Sequence, residues 1–140
     1  MLKNIPKIVS PELLKILCEM GHGDEIVIAD ANFPSQNLGK KVIRAEGIGG
    51  NEMLKAVLQL IPLDTYADQS VFLMETVYGD PVPYIWDDYK ATLAETAEKW
   101  ELQKLERFAF YDRAKNAYAV IATGESQIYA NIILKKGIIK

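Results

Sequence analysis

The chain has 140 residues, with 16 Lys and Arg against 19 Asp and Glu, a formal charge of −3. Hydrophobic residues make up 49% and charged residues 25%, enough apolar surface to offset the entropy of ordering, so a disordered chain is excluded. The acidic balance offers no basic field for nucleic acid; the lone Cys18 excludes an intramolecular disulfide framework, and a single histidine removes the usual zinc constellations. No apolar run approaches the ~20 residues that cross a bilayer. Met1 to Pro6 lacks the apolar core of a signal peptide. The expectation is one cytoplasmic domain over residues 1–140, with no metal, no cofactor, no nucleic acid and no membrane contact.

Ser10-Pro11-Glu12 opens a first helix: serine accepts orphan N–H groups, proline at the first helical position loses nothing, and glutamate suits the first turn. Leu13, Leu14, Leu17 and Met20 recur at helical spacing, and Gly21 is expected to end the helix in a left-handed conformation. Cys18, on this helix, is expected to be a small buried hydrophobe. Glu25–Ala29 is a short run rich in β-branched residues and reads as a buried strand. Asp30 to Lys41, with Pro34 and Gly39, reads as a loop on the C-terminal end of that strand, where α/β folds place ligands. Val42–Ala45 is a candidate second strand, and a second helix runs from about Asn51 to Ile61, with Met53, Leu54, Val57, Leu58 and Ile61 on one side.

Ser70–Val77 reads as a strand, Tyr78–Pro83 as a loop, and Tyr84 to Lys99 as a helix whose Trp86, Tyr89, Leu93, Ala97 and Trp100 share a side. The rest alternates more quickly. Leu105–Phe110 is strand-like, Tyr111–Asn116 a helical turn, Tyr118–Ala122 a strand, Gly124 a turn, and Ile132–Leu134 the last strand. Helices interleaved with strands indicate an α/β layer structure.

The chain has no P-loop, no complete dinucleotide fingerprint and no G-x-S-x-G elbow. His22, between two glycines after a helix end, is the only side chain whose ordinary pKa lies near neutrality, so it can give and take a proton. The alternative is a solvated turn residue. Asp30 ends a buried strand, where a carboxylate can accept from two adjacent hydroxyls or form an Asx turn. Arg107, read as lying in an aromatic strand, either holds an oxygen with its fork of donors or pairs with Glu106 or Asp112. Tyr129-Ala130-Asn131 precedes the last strand; tyrosine and amide suit a polyhydroxyl ligand, or the tyrosine is core. These groups suffice for acid–base work on a neutral polyol and leave the substrate open.

Six blocks narrow it. Met20-Gly-His-Gly-Asp-Glu25, Ala29-Asp-Ala-Asn-Phe-Pro34, Arg44-Ala-Glu-Gly47, Pro62-Leu-Asp-Thr-Tyr66, Glu106-Arg-Phe-Ala-Phe-Tyr111 and Thr123-Gly-Glu125…Tyr129-Ala-Asn-Ile-Ile-Leu134 resemble the RbsD/FucU sugar mutarotase family, in family order. The likeness is closer to its L-fucose mutarotase branch. It implies a three-layer α/β/α sandwich with a mixed β-sheet and anomer interconversion of free L-fucose without a cofactor. It also implies His22 as the general acid/base, with Asp30, Arg107, Tyr129, Ala130 and Asn131 binding the sugar. A homodecamer with sites near subunit boundaries is implied as well. Alternatives are a D-ribose pyranase and a non-catalytic sugar-binding oligomer. Ala130, where the fucose branch often has Gly, and Glu46, where Asp is common, are departures.

Overall fold

A computed structural model describes residues 1–140. Eleven elements follow in chain order: α1 (Pro11–Glu19), β1 (Glu25–Ala29), α2 (Ser35–Leu38), β2 (Val42–Ala45), α3 (Gly50–Leu58), β3 (Val71–Met74), α4 (Ile85–Leu93), β4 (Leu102–Leu105), α5 (Arg107–Asn116), β5 (Ala119–Thr123) and β6 (Ile132–Lys135). The strands form one sheet in the order β2-β5-β1-β6-β3-β4. β1, β2 and β5 are mutually parallel, as are β3 and β4, while β6 runs antiparallel between β1 and β3. The sheet is mixed, as the family likeness implied.

Side-chain alternation along the strands divides the core into two layers. Ile26 and Ile28 of β1 pack with Leu13, Leu17, Met53, Leu54, Tyr89 and Leu93, placing α1, α3 and α4 on one face. Val27 and Ala29, pointing the other way, pack with Phe33, Phe110, Ala114 and Ala117, placing α5 and the segment around α2 on the opposite face. Because both faces are covered, the central strands are buried throughout, which is why β1 reads as a continuous apolar run.

The first helix forms as the cap residues dictate, with Ser10 Oγ accepting from Leu13 N at 3.1 Å. Its end differs from expectation. Met20 closes the helix in extended geometry, Lys136 Nζ takes the carbonyls of Leu17 and Met20, and the left-handed residue is Gly23, at φ +88°. Cys18 is exposed, because Leu13, Ile16 and Leu17 fill the buried stripe and position 18 falls outside it. The Asp30–Lys41 loop contains the one-turn helix α2; the Ser70–Val77 strand contracts to Val71–Met74; and α4 stops at Leu93, leaving Ala97 and Trp100 beyond it.

The largest correction is α5. Leu105–Phe110 is not a strand: only Leu105 belongs to one, as the last residue of β4, and the helix starts at Arg107. Phe108 and Phe110 imitate a two-residue period, but Phe108 is exposed, while Phe110 and Ala114, four apart, are fully buried. Glu106 caps this helix, its carboxylate accepting from Phe108 N at 2.9 Å and Ala109 N at 3.1 Å. Glutamate is an uncommon cap, and an arginine in the first turn opposes the helix dipole, so the usual start signals are missing.

Candidate active site

The C-terminal ends of β1 and β3 meet the start of α5 and the turn before β6. Here Asp30, only 4% exposed, is tied to the Tyr-Ala-Asn turn from both sides. Its N–H donates to Asn131 Oδ1 at 2.7 Å, and its carboxylate accepts from Ala130 N at 3.3 Å and Asn32 N at 3.0 Å. The Asx turn expected at Asp30 is therefore present, on a carboxylate that also faces a cavity. Burial pushes the Asp30 carboxyl above the ordinary carboxylate range, while hydrogen bonds from Asn32, Ala130, Phe33 and Asn131 act in the opposite sense.

Tyr129 adopts φ +59°, a left-handed conformation that costs a non-glycine residue about 1–3 kcal/mol and persists only when its surroundings enforce it. They do so through α4: Trp86 Nε1 donates to the Tyr129 carbonyl and Tyr89 Oη to the Ala130 carbonyl, each at 2.8 Å. Ala130 is fully buried and contributes main-chain groups. Arg107 pairs with neither Glu106 nor Asp112. Its Nε donates to Tyr111 Oη at 3.0 Å, leaving the terminal guanidinium nitrogens free.

Asp30, Arg107, Tyr111, Tyr129 and Asn131 line one cavity of about 260 Å³, with Phe33, Met74 and Ile128 supplying apolar wall. That is below the drug-sized range and suits one small ligand. The Arg107 terminal N–H groups can only donate. Asn131 Nδ2, engaged only by a weak contact with Met74 Sδ at 3.9 Å, can only donate too. Asp30 accepts. The cavity is thus set up for hydroxyl groups, which do both.

His22 is not there. It precedes β1, at the opposite end of the sheet, and the five residues of β1 rise ~3.3 Å each, so ~13 Å separates the strand's ends before the flanking residues are added. Its side chain is 43% exposed; Nε2 lies 3.0 Å from Asp64 Oδ1, and the ring meets Tyr66 edge-on with centroids 5.3 Å apart. Asp64 is 5% exposed. Burial pushes its carboxyl up, but bonds from Tyr66 N, the His22 ring and Ala67 N outweigh that and hold it below the ordinary range. A histidine with one nitrogen on a carboxylate and its ring edge against an aromatic is oriented, with the other nitrogen left for proton exchange.

The model of the RbsD / FucU transport protein family matches residues 3–139. The chain belongs to the RbsD/FucU family. It is 50% identical to the fucose mutarotase of Danio rerio, over 99% of this chain and 94% of that protein. It superposes with a TM-score of 0.96 on the crystal structure of the fucose mutarotase from Streptococcus pneumoniae in complex with L-fucose, at 50% identity over 99% of this chain and all of the other. Bacillus subtilis RbsD complexed with D-ribose is more distant, at 27% identity and a TM-score of 0.78, with full coverage of both chains.

The RbsD/FucU blocks divide between the two ends of the sheet. Those containing Asp30, Arg107 and Tyr129–Asn131 converge on the cavity; those containing His22 and Asp64 meet at the other end. Sequence reasoning missed Asp64 and Tyr66 as partners of His22, although both lie in the quoted Pro62–Tyr66 block. It also missed Tyr111, which stands one turn from Arg107 and would have been found had the segment been read as a helix.

Proposed function

We propose that this chain is an L-fucose mutarotase that interconverts the α and β anomers of free L-fucose by acid–base ring opening and closing. The observation that carries the reading is the likeness, along 99% of the chain, to a fucose mutarotase solved with L-fucose. The donor and acceptor inventory of the cavity supports it, since a monosaccharide presents several hydroxyls to a small polar space.

Ring opening removes the proton from O1 as the ring oxygen gains one; the carbonyl rotates, and closure on its other face gives the other anomer. His22 exchanges these protons, with Asp64 holding the ring, and acid–base assistance of this kind contributes ~10²–10⁴-fold. Asp30, Arg107, Tyr129 and Asn131 hold the sugar, with Ala130 fixing the turn. Because His22 and the cavity lie at opposite ends of β1, each complete site combines the cavity of one copy with His22 of another. The family resemblance supports a homodecamer, and the family's role in free-sugar metabolism a cytoplasmic location.

Two-dimensional exchange NMR of L-fucose at equilibrium tests the activity directly. Cross-peaks between anomers that appear only with the protein, and vanish with His22→Ala, are expected. Their absence with active-concentration protein overturns the reading, and exchange with D-ribose alone would move it to pyranose–furanose interconversion. Light scattering checks the assembly: ten copies of 15.7 kDa give about 157 kDa, and a monomer mass would refute the shared site.

A further inference from the structure

We infer that Asp80, on the loop after β3 and outside the cavity wall, is a positioning residue that fixes the polarity of the Tyr129 hydroxyl. The inference rests on the proposed sugar site. Tyr129 Oη donates to Asp80 Oδ2, and Val77 N donates to the same phenol oxygen at 3.4 Å. A phenol has one hydrogen and can otherwise point it at the ligand or away from it. An ionised carboxylate only accepts, so Asp80 claims that hydrogen and leaves the Tyr129 oxygen as an acceptor. Arg107 and Asn131, which share the cavity, only donate through their free groups. Asp80 therefore turns an ambiguous wall group into a complement of two donors: a sugar hydroxyl can accept from Arg107 or Asn131 and donate its hydrogen to the Tyr129 oxygen.

Asp80 does not hold the turn together. The Tyr129 and Ala130 carbonyls are taken by Trp86 and Tyr89, Ala130 N by Asp30, and Gln127 N by Glu125. The Asp80 carboxylate touches only the far end of the Tyr129 side chain, from an exposed loop in which Gly79 makes the bend at φ +93°. Loss of Asp80 thus alters the hydroxyl's direction and leaves the fold alone.

The test is anomer-exchange kinetics with L-fucose for wild type, Asp80→Ala, Asp80→Asn, Tyr129→Phe and the Asp80→Ala/Tyr129→Phe pair, with thermal melting on each. Asp80→Ala is expected to raise KM about tenfold, the scale of one hydrogen bond, with kcat changed by less than about threefold. Asp80→Asn, which keeps an accepting oxygen, recovers part of the loss. In the Tyr129→Phe background Asp80→Ala adds less than about twofold, because its effect passes through the hydroxyl. An unchanged KM in Asp80→Ala, or the same tenfold loss with and without the Tyr129 hydroxyl, overturns the positioning role while leaving the mutarotase reading intact. A fall in kcat with a lowered melting temperature in both Asp80 variants assigns Asp80 a structural role and overturns it too. No acceleration by wild type with any sugar refutes both together.

Discussion

Two inactive variants mixed together report whether each site is built from two copies. His22→Ala removes the proton carrier and leaves the cavity whole; Arg107→Ala removes a cavity donor whose only structural bond is to Tyr111, and leaves His22 and Asp64 whole. Alone, the first loses ~10²–10⁴-fold. The second loses ~10–100-fold, the scale of a charge-assisted hydrogen bond. If the two chains are unfolded together and refolded at equal concentration, each site draws its histidine from one copy and its arginine from another. About a quarter of sites then carry both, so the mixture runs at about a quarter of the wild-type rate per site. A site within one chain would have to span the ~13 Å of β1 between its two ends.

The assay is the exchange rate of L-fucose anomers by NMR, normalised to refolded wild type. A refolded mixture of wild type and His22→Ala should return about half the rate and calibrates random assembly. Should the crossed mixture equal the mean of its two parents, no more than a few per cent, then His22 and Arg107 act within one chain and the shared site is wrong.

Three further outcomes follow from particular contacts. Asp64→Asn keeps the shape of the His22 partner and removes its charge; kcat falls about tenfold, short of the ~10²–10⁴-fold from His22→Ala, and equal losses would mean Asp64 does more than orient the ring. The Asp64 carboxyl is held below its unfolded value, so the stability it contributes is fully present above that unfolded value and is lost as pH falls through the lowered folded value. Wild type should therefore lose more stability between neutral pH and acid than His22→Ala, in which Asp64 lacks one of the bonds that depress it; a larger acid loss in His22→Ala contradicts the linkage. Phe110→Ala, at a fully buried site, costs about 3–5 kcal/mol in urea denaturation, whereas Glu106→Ala, which removes the α5 cap, costs about 1 kcal/mol. A cost below 1 kcal/mol for Phe110→Ala would contradict the packing of α5 on the sheet.

The elements that were legible in the residues are those whose local signals agree with their tertiary surroundings. Ser10-Pro11 starts α1 and the Glu25–Ala29 run bounds β1 because capping chemistry and two-sided burial leave little choice. The Leu105–Phe110 segment failed for the opposite reason, although the turn of helix expected over Tyr111–Asn116 is there. Its cap is a glutamate, its first residue opposes the dipole, and its aromatics alternate as in a strand, so only the packing of Phe110 and Ala114 against the sheet decides it. Gly21 misled in a smaller way: Lys136, 116 residues away, satisfies the last carbonyl of α1, so no left-handed glycine is needed at that point.

The site divides along the same line. Of the residue types singled out for their chemistry, Asp30, Arg107, Tyr129 and Asn131 line one cavity. What sequence order cannot carry is which groups face each other. Asp64 lies 42 residues from His22 and is brought to it because Asp64 N pairs with the carbonyl of Lys135, the last residue of β6, beside the bond from Gly23 N to Lys136 O. The same antiparallel strand places Asn131 against Asp30 at its other end, through the Ile28–Ile132 register. β6 therefore organises both halves of the proposed machinery and, being four residues long, also keeps them apart. Residue types alone leave open whether His22 and Asp30 share a pocket within one chain. The strand's length separates them within one chain, so in the proposed mechanism a second copy brings its histidine to the sugar.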